Sequence, residues 1–596
     1  MTPRYAQAVT DVYYDLGDYS RPLRTRSAMA QVWFDRGLVW AYGFNHEEAI
    51  ACFERALRDD PDLWPARWGI AYAVGPNYNK GWEAFDPVDL SASLGRARSE
   101  LDLAREALSR GKRPSETPAS KPEASLVAAL TRRYAGVLAD DPQSWQAGHA
   151  AYADAMAEVA AEFPRDLDVL ALAADALVNV SAWALWNPLS GEPAPGSRAR
   201  EAEALLDAAL ALPGGRRHPF VLHLHIHLLE MSERPEAALT SADQLRGLVP
   251  DAGHLQHMPS HLDVLCGDYH AALAANRRAV EADRLFVERE GPRNFYSLYR
   301  AHNLHFIVYA AMFLGRYQDA IEAADELGSQ LTPQLLGLET PPMADWLEAF
   351  VPLRTHVLVR FGRWAELVAA PLPQDPKLYC TTTAMVLYGR GVAQAALGDV
   401  AAAEAVREEF VQAVGLVPSS RYLFNNTATD ILAIAREMLD GEIAYRQGDI
   451  GEGFTRLRQA IALDDALPYD EPWGWMQPTR HAYGALLLEQ GRVSEAAAVY
   501  AADLGLDPAV SRSVHHPGNV WSLHGYHECL ACLDRHDEAR IIAQQLAVAS
   551  ARADVPVLAS CACRLDVLAS AAGDVVTRHA AGCGPDCGCE HCRSAH

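Results

Sequence analysis

Along most of the 596-residue chain, apolar and small residues recur at the spacing of amphipathic helices. The pattern breaks at Gly75-Pro76-Asn77, and the loop that follows is long enough to cover something. A polar, proline-rich linker occupies residues 112–123, and amphipathic helices resume at Ala124. Further breaks fall at 190–197 (SGEPAPGS) and 213–219 (PGGRRHP), and the best-registered helices begin only at His218. There HLHIHLLEMSERPEAAL, HLQHMPSHLDVLCGDYHAAL and HNLHFIVYAAMFLGRYQDAI share one layout. His223 and His227, four residues apart, lie on one helix face, as do His257 and His261. The offset is the same for both members, 257 − 223 = 261 − 227 = 34.

That offset is the period of a tetratricopeptide repeat. From Ala30 to Asp62 the chain resembles that family on specific residues: Trp33, Gly37, Ala49, Phe53, Ala56 and Pro61 fall at repeat positions 4, 8, 20, 24, 27 and 32. The resemblance implies an all-α, right-handed α-solenoid of helical hairpins, in which small residues let two helices approach and proline ends the second. The expected organisation is helices at 1–111, a linker at 112–123, an irregular helical segment at 124–215, His-rich repeats at 216–330, a C-terminal array at 331–570 and a Cys-rich tail at 571–596.

Each repeat is indexed on the residue at position 20: Ala238, Ala272, Ala320, Leu367, Ala403, Gly453, Ala496 and Ala539. His223, His257, His305, His481 and His524 then fall at position 5, and His227, His261, Tyr309, His356 and Glu528 at position 9. His254 and His302 fall at position 2. Histidine is 22 of 596 residues, so its presence at position 5 or 9 in six of these eight repeats is poorly explained by chance. In the family resembled, positions 2, 5 and 9 face a concave groove, which here implies a groove lined with imidazoles. His225 and His270 are off register and are expected on the helix surface, and His515 and His516 are expected in a loop.

Imidazole is the commonest metal ligand and suits copper, iron, zinc and nickel. His223, His227, His254, His257, His261, His302 and His305 suffice for one or two ions, copper being favoured with iron or zinc as alternatives. Glu230 and Asp263 are candidate catalytic carboxylates, as ligands, orienters of an imidazole or general bases. The bland alternative is a set of solvated or peptide-binding histidines. A second candidate set, for substrate contacts, is Tyr309, His356, Arg480, His481, His524, His527 and Glu528, with Trp473 and Trp475 expected in the core. In the tail, Cys583, Cys587, Cys589 and Cys592 surround His591 with spacing suited to Zn(II) or Cu(I).

Composition narrows the partners. With 52 basic and 77 acidic residues the net charge is −25, which disfavours nucleic acid and anionic membranes. No apolar run reaches spanning length and the start lacks a secretory pattern, so a cytoplasmic protein is expected. P-loop, zincin and α/β-hydrolase motifs are absent from the sequence. The leading expectation is a metal-dependent oxidoreductase, using copper or iron, that acts on a small molecule or peptide held in the groove. The alternatives are a non-catalytic scaffold binding a partner peptide and a metal storage or delivery protein.

Overall fold

The computed structural model describes residues 13–110, 122–188 and 190–565, so the four tail cysteines from Cys583 to Cys592 lie outside the described residues. The described chain is almost wholly helical; its strands form one two-stranded antiparallel ribbon, Tyr422–Leu423 against Asn426–Thr427. Two compact units divide it. The first comprises Met1–Leu262 with Arg278–Pro292, the second Asp263–Arg277 with Arg293–His596.

Both units are built from helical hairpins stacked in chain order. In the first, Ala28–Tyr42 packs on His46–Asp59, Trp64–Ala73 on Pro87–Arg110, and Glu123–Tyr134 on Pro142–Glu162. Leu167–Val178 pairs with Ala199–Ala211, and Pro219–Leu229 with the short Leu239–Leu245. In the second, Ser297–Leu314 pairs with Tyr317–Gln330, and five further hairpins follow through Val520–Cys532 and His536–Ser550.

The sequence register survives in the structure residue by residue. Ala49, Ala272, Ala320, Leu367, Ala403, Gly453, Ala496 and Ala539 are each the fourth residue of the helix that contains them, and Ala238 is the fourth of the single turn Pro235–Ala238. All nine are buried. Eight of the nine are Ala or Gly, small enough to let the hairpin close, Leu367 being the exception, and in most repeats a left-handed residue stands two positions ahead of the second helix. Gly315 and Gly448 take that conformation, with φ of 70° and 89°. Phe44 and Asp534 adopt it with φ of 57° each, against the preference of a residue with a Cβ.

Between hairpins an aromatic wedge fills the space that two glycines leave. Phe53 sits so that a Cβ on Gly37 would lie 2.5 Å from its ring and one on Gly69 2.7 Å from it. Tyr500 repeats the device between Gly484 and Gly525, at 2.6 and 2.3 Å. These glycines are required for space, not for backbone conformation.

The helix carrying His223 is fixed by a buried polar node. Asp168 accepts from Tyr19, Tyr42 and Arg21, and from His218 at 3.1 Å. His218 in turn caps the helix Pro219–Leu229, accepting at Nδ1 from Val221 N at 3.4 Å. All eleven residues of that helix are buried, as a sequence apolar on every face (PFVLHLHIHLL) requires.

Two predictions concern the fold. Gly37→Ala and Gly69→Ala should each cost about 1–3 kcal/mol by overpacking, and combining Gly37→Ala with Phe53→Leu should recover part of the loss; additive losses in chemical denaturation would contradict the wedge. His149, buried beside Arg133, has its pKa lowered to about 3 by burial and then by that cation. A folded value below the unfolded one, about 6.5, means its contribution is whole above pH 6.5 and is lost as pH falls towards 3. His149→Leu should therefore flatten the fall of stability between pH 6.5 and 4 by up to about 1.4 kcal/mol per pH unit; an unchanged slope in Tm against pH would contradict it.

Candidate metal centre

Five of the expected ligands meet within the first unit. His223 and His227 come from Pro219–Leu229, and His254 and His257 from the short helix Gly253–His257. His261 comes from the helix that starts at Pro259. The sequence reads as one helix carrying His257 and His261, but Pro259, which lacks an N–H, divides it in two. The break leaves His257 and His261 facing each other, with their Nε2 atoms 2.7 Å apart. Ring centroids are separated by 4.7 Å for His223 and His227, 5.0 Å for His223 and His254, and 5.8 Å for His227 and His261.

The imidazoles are held by their Nδ1 atoms. His223 Nδ1 donates to the Tyr42 carbonyl at 2.6 Å. His227 Nδ1 and His261 Nδ1 donate to the two oxygens of Glu230, at 3.0 and 2.6 Å. A proton on Nδ1 leaves Nε2 with a bare lone pair. Nε2 of His223 and of His227 has no hydrogen-bond partner among the described residues and no water exposure. Within the first unit, two sets of ligand atoms lie within 4.8 Å of one another: His223, His227 and His254, and His227, Glu230 and His261. These buried groups could hold a metal ion.

The electrostatics keep the donors neutral. Burial lowers His227 to about 3 and His261 to about 4, the latter despite the opposing pull of Glu230. His223 and His254 are pushed well below the ordinary imidazole value by burial and by their histidine neighbours. Burial raises Glu230, and His261 draws it back down. Imidazoles that stay unprotonated near neutral pH are competent ligands without first losing a proton.

Three aromatic residues wall the cluster. Phe44 lies 4.6 Å from His223 and 5.7 Å from His254, and Tyr78 lies 4.6 Å from His227. Trp183 is 6.2 Å from His227 and has a φ of 59°. Tyr78 belongs to the loop after Gly75-Pro76-Asn77, so the segment expected to cover something covers His227. Phe44 and Trp183 were not singled out in the sequence. Their signal is in the backbone, since both are among only four described non-glycine residues with positive φ.

The remaining expected residues belong to the second unit. His302, His305 and Tyr309 lie on Ser297–Leu314 in the second unit and are buried. Asp263 is buried in that unit, its carbonyl accepting from Asp268 N at 2.8 Å. His481 and His516 both bond Asp503, at 3.0 and 2.9 Å, and Arg360 bonds the other face of His481 at 2.9 Å. Arg480 pairs with Asp465, while Glu528 pairs with Arg564. His524 and His527, both half-buried, lie on Val520–Cys532 with Glu528. Within the second candidate set, Arg480, His481 and Glu528 therefore turn to three different partners.

Two expectations are corrected. Most histidines at positions 2, 5 and 9 do not line an open surface: His223, His227, His254, His257, His261, His305, His356 and His481 are at most 4% exposed, while His524 is half-buried. His225, expected on the helix surface, is 6% exposed and bonds Ser241 Oγ through Nδ1 at 2.8 Å, because its helix is enclosed on every side. His270 is exposed and His515 and His516 lie in a loop, as expected, although His516 is buried against Asp503. Trp473 and Trp475 are in the core. Among the described residues no helix is long and apolar enough to cross a membrane.

No protein-family profile matches the chain, and no curated protein matches it. Solved structures similar to it include the crystal structure of Ypp1, 10% identical, covering 90% of this chain and 89% of that one with a TM-score of 0.41. The hetero-tetramer Cut9-Hcn1 of the APC/C is 12% identical, covers 88% of each chain and has a TM-score of 0.27. Naa15/Naa10 bound to HypK-THB is 13% identical, with 91% and 75% covered and a TM-score of 0.20. Likeness at these levels carries no functional argument.

The tautomer assignment can be checked directly. In nitrogen-15 spectra of the metal-free protein, His227 and His261 should carry their proton on Nδ1 and show unprotonated Nε2. Glu230→Ala should destabilise the protein by about 1–3 kcal/mol, because two buried N–H groups lose their acceptor. Protonated Nε2 atoms on both rings, or an unaltered stability, would contradict the arrangement.

Proposed function

We propose that this chain is a metal-binding helical-repeat protein whose first unit holds a transition-metal ion on His223, His227 and His254, with His261 contributing. The observation that carries the reading is the pair of buried, unpartnered Nε2 atoms on His223 and His227, on rings whose Nδ1 atoms are fixed by a carbonyl and a carboxylate. A buried polar atom with no partner costs about 1–3 kcal/mol, and a bound cation removes that cost. Tying the non-ligating nitrogen to a carboxylate or backbone carbonyl is the usual support of a metal-bound imidazole. Glu230 takes that supporting role, orienting His227 and His261 together.

The finer reading is a metal-dependent oxidoreductase. An imidazole-rich donor set suits copper or iron, and such an ion would supply redox chemistry towards a small molecule or peptide. The protein's share would be to fix the rings, keep them neutral and exclude water, with Phe44, Tyr78 and Trp183 as the dry wall. The second reading, an ion held without turnover in a scaffold or a storage protein, is favoured by the burial of every donor. Both readings fit a cytoplasmic location.

Metal analysis of protein purified without a histidine tag decides between them. The proposal expects one ion per chain that is lost in His223→Ala/His227→Ala, whatever the tail or the second unit retains, and that is bound about 10–100-fold more weakly in Glu230→Gln. Metal added at about 100 times its dissociation constant should stabilise the wild type by about 2.7 kcal/mol and the double variant by nothing. Oxygen consumption dependent on copper or iron would select the enzyme; a stoichiometric ion with no turnover would select the held ion. A chain that carries no metal and gains no stability from copper, iron or zinc would overturn the proposal and leave the peptide-binding scaffold.

A further inference from the structure

The second unit contains an arrangement of softer donors that the centre above does not use. His305 Nε2 lies 2.8 Å from the thioether sulfur of Met476. A neutral N–H donor usually stands about 2.9–3.0 Å from oxygen, and sulfur is the larger atom, so this approach is closer than an ordinary hydrogen bond to sulfur requires. Both residues are enclosed, at 0% and 1% exposure. Nδ1 of His305 and Nδ1 of His356 have no hydrogen-bond partner among the described residues.

The surroundings are apolar and aromatic. Phe350 meets the His305 ring edge-on at 5.2 Å, Phe424 stacks on it at 6.5 Å, and Trp475 meets His356 edge-on at 5.0 Å. Phe424 reaches this place with a φ of 49°, a conformation costly for a phenylalanine. It is the third of the four described left-handed non-glycine residues to pack on histidine. Burial first, and His356 after it, lowers His305 to about 3, and burial lowers His356 to about 3. Both rings are therefore neutral near physiological pH.

Neutral imidazole and thioether sulfur, in a dry aromatic pocket, form a donor set of low charge and high polarisability. Such donors select soft cations over Zn(II), Mg(II) or Ca(II), and a single positive charge is what an apolar enclosure with neutral ligands tolerates best. The unbranched methionine side chain can swing to open the pair around an ion. We propose that His305 and Met476, with His356 as a third donor, form a separate site in the second unit for a soft monovalent cation of the Cu(I) class.

Silver(I), a redox-inert cation of that class, is the probe. The protein is the full chain with Cys583, Cys587, Cys589 and Cys592 replaced by serine, so that tail thiols do not compete, and with carbon-13 in its methionine methyl groups. One of the ten methionine signals, absent in Met476→Leu, should move and saturate near one added equivalent per site. Met476→Leu is close to isosteric, so its melting temperature should stay near that of the parent. His305→Ala should weaken the silver-induced shift at least tenfold, whereas His223→Ala/His227→Ala should leave it unchanged, which separates this site from the one proposed above. Zinc(II) should not move the Met476 signal. A Met476 methyl that stays in place while silver shifts other methionines, or that responds equally to zinc, would overturn the proposal.

Discussion

Everything at the candidate centre depends on where one proton sits on each imidazole. Buried histidine can be neutral in two ways, and the choice decides whether its lone pair points into the cavity or into the scaffold. Here Tyr42 O and the two oxygens of Glu230 fix the proton on Nδ1 of His223, His227 and His261. Those acceptors are themselves placed by the fold. Tyr42 is the last residue of the first helix, and Glu230 immediately follows the helix that carries His223 and His227. The donor set is thus a by-product of how the first helices of two hairpins end.

Burial is the second half of the constraint. Desolvation lowers His223, His227, His254 and His261, so these four do not compete for protons near pH 7, and the same desolvation makes an unpartnered Nε2 expensive. The aromatic wall of Phe44, Tyr78 and Trp183 enforces it, at the cost of left-handed backbone for two of the three. In the second unit Phe424 repeats that device over His305. Backbone strain beside histidine is the common mark of the two places where this chain concentrates ligand chemistry.

Much of the fold was legible beforehand, because helix packing leaves a periodic trace. A small residue is favoured where each second helix closes on its partner, and every indexed residue from Ala49 to Ala539 except Leu367 recorded it. The histidine register was legible for the same reason. What could not be read was which histidines meet. His223, His227, His254, His257 and His261 gather, whereas His481 turns to Asp503 and Glu528 to Arg564, because partner choice depends on loops and helix ends that carry no period. Burial was misread too. Positions that face a groove in the family resembled are enclosed here, so His225 is buried despite being off register. Two of the three walls were invisible, since Phe44 in a turn and Trp183 outside any helix obey no helical spacing, whereas the loop that carries Tyr78 was marked by Gly75-Pro76-Asn77.

The central claim is that the bare Nε2 atoms of the first unit exist to meet a cation, and anomalous diffraction from crystals soaked in copper or zinc tests it most directly. The account predicts one dominant peak, at the metal's absorption edge, among Nε2 of His223, Nε2 of His227 and the His254 ring, with Glu230 still bonded to His227 and His261. A map with no peak there, while metal sits on exposed histidines such as His270 or His536, would contradict it.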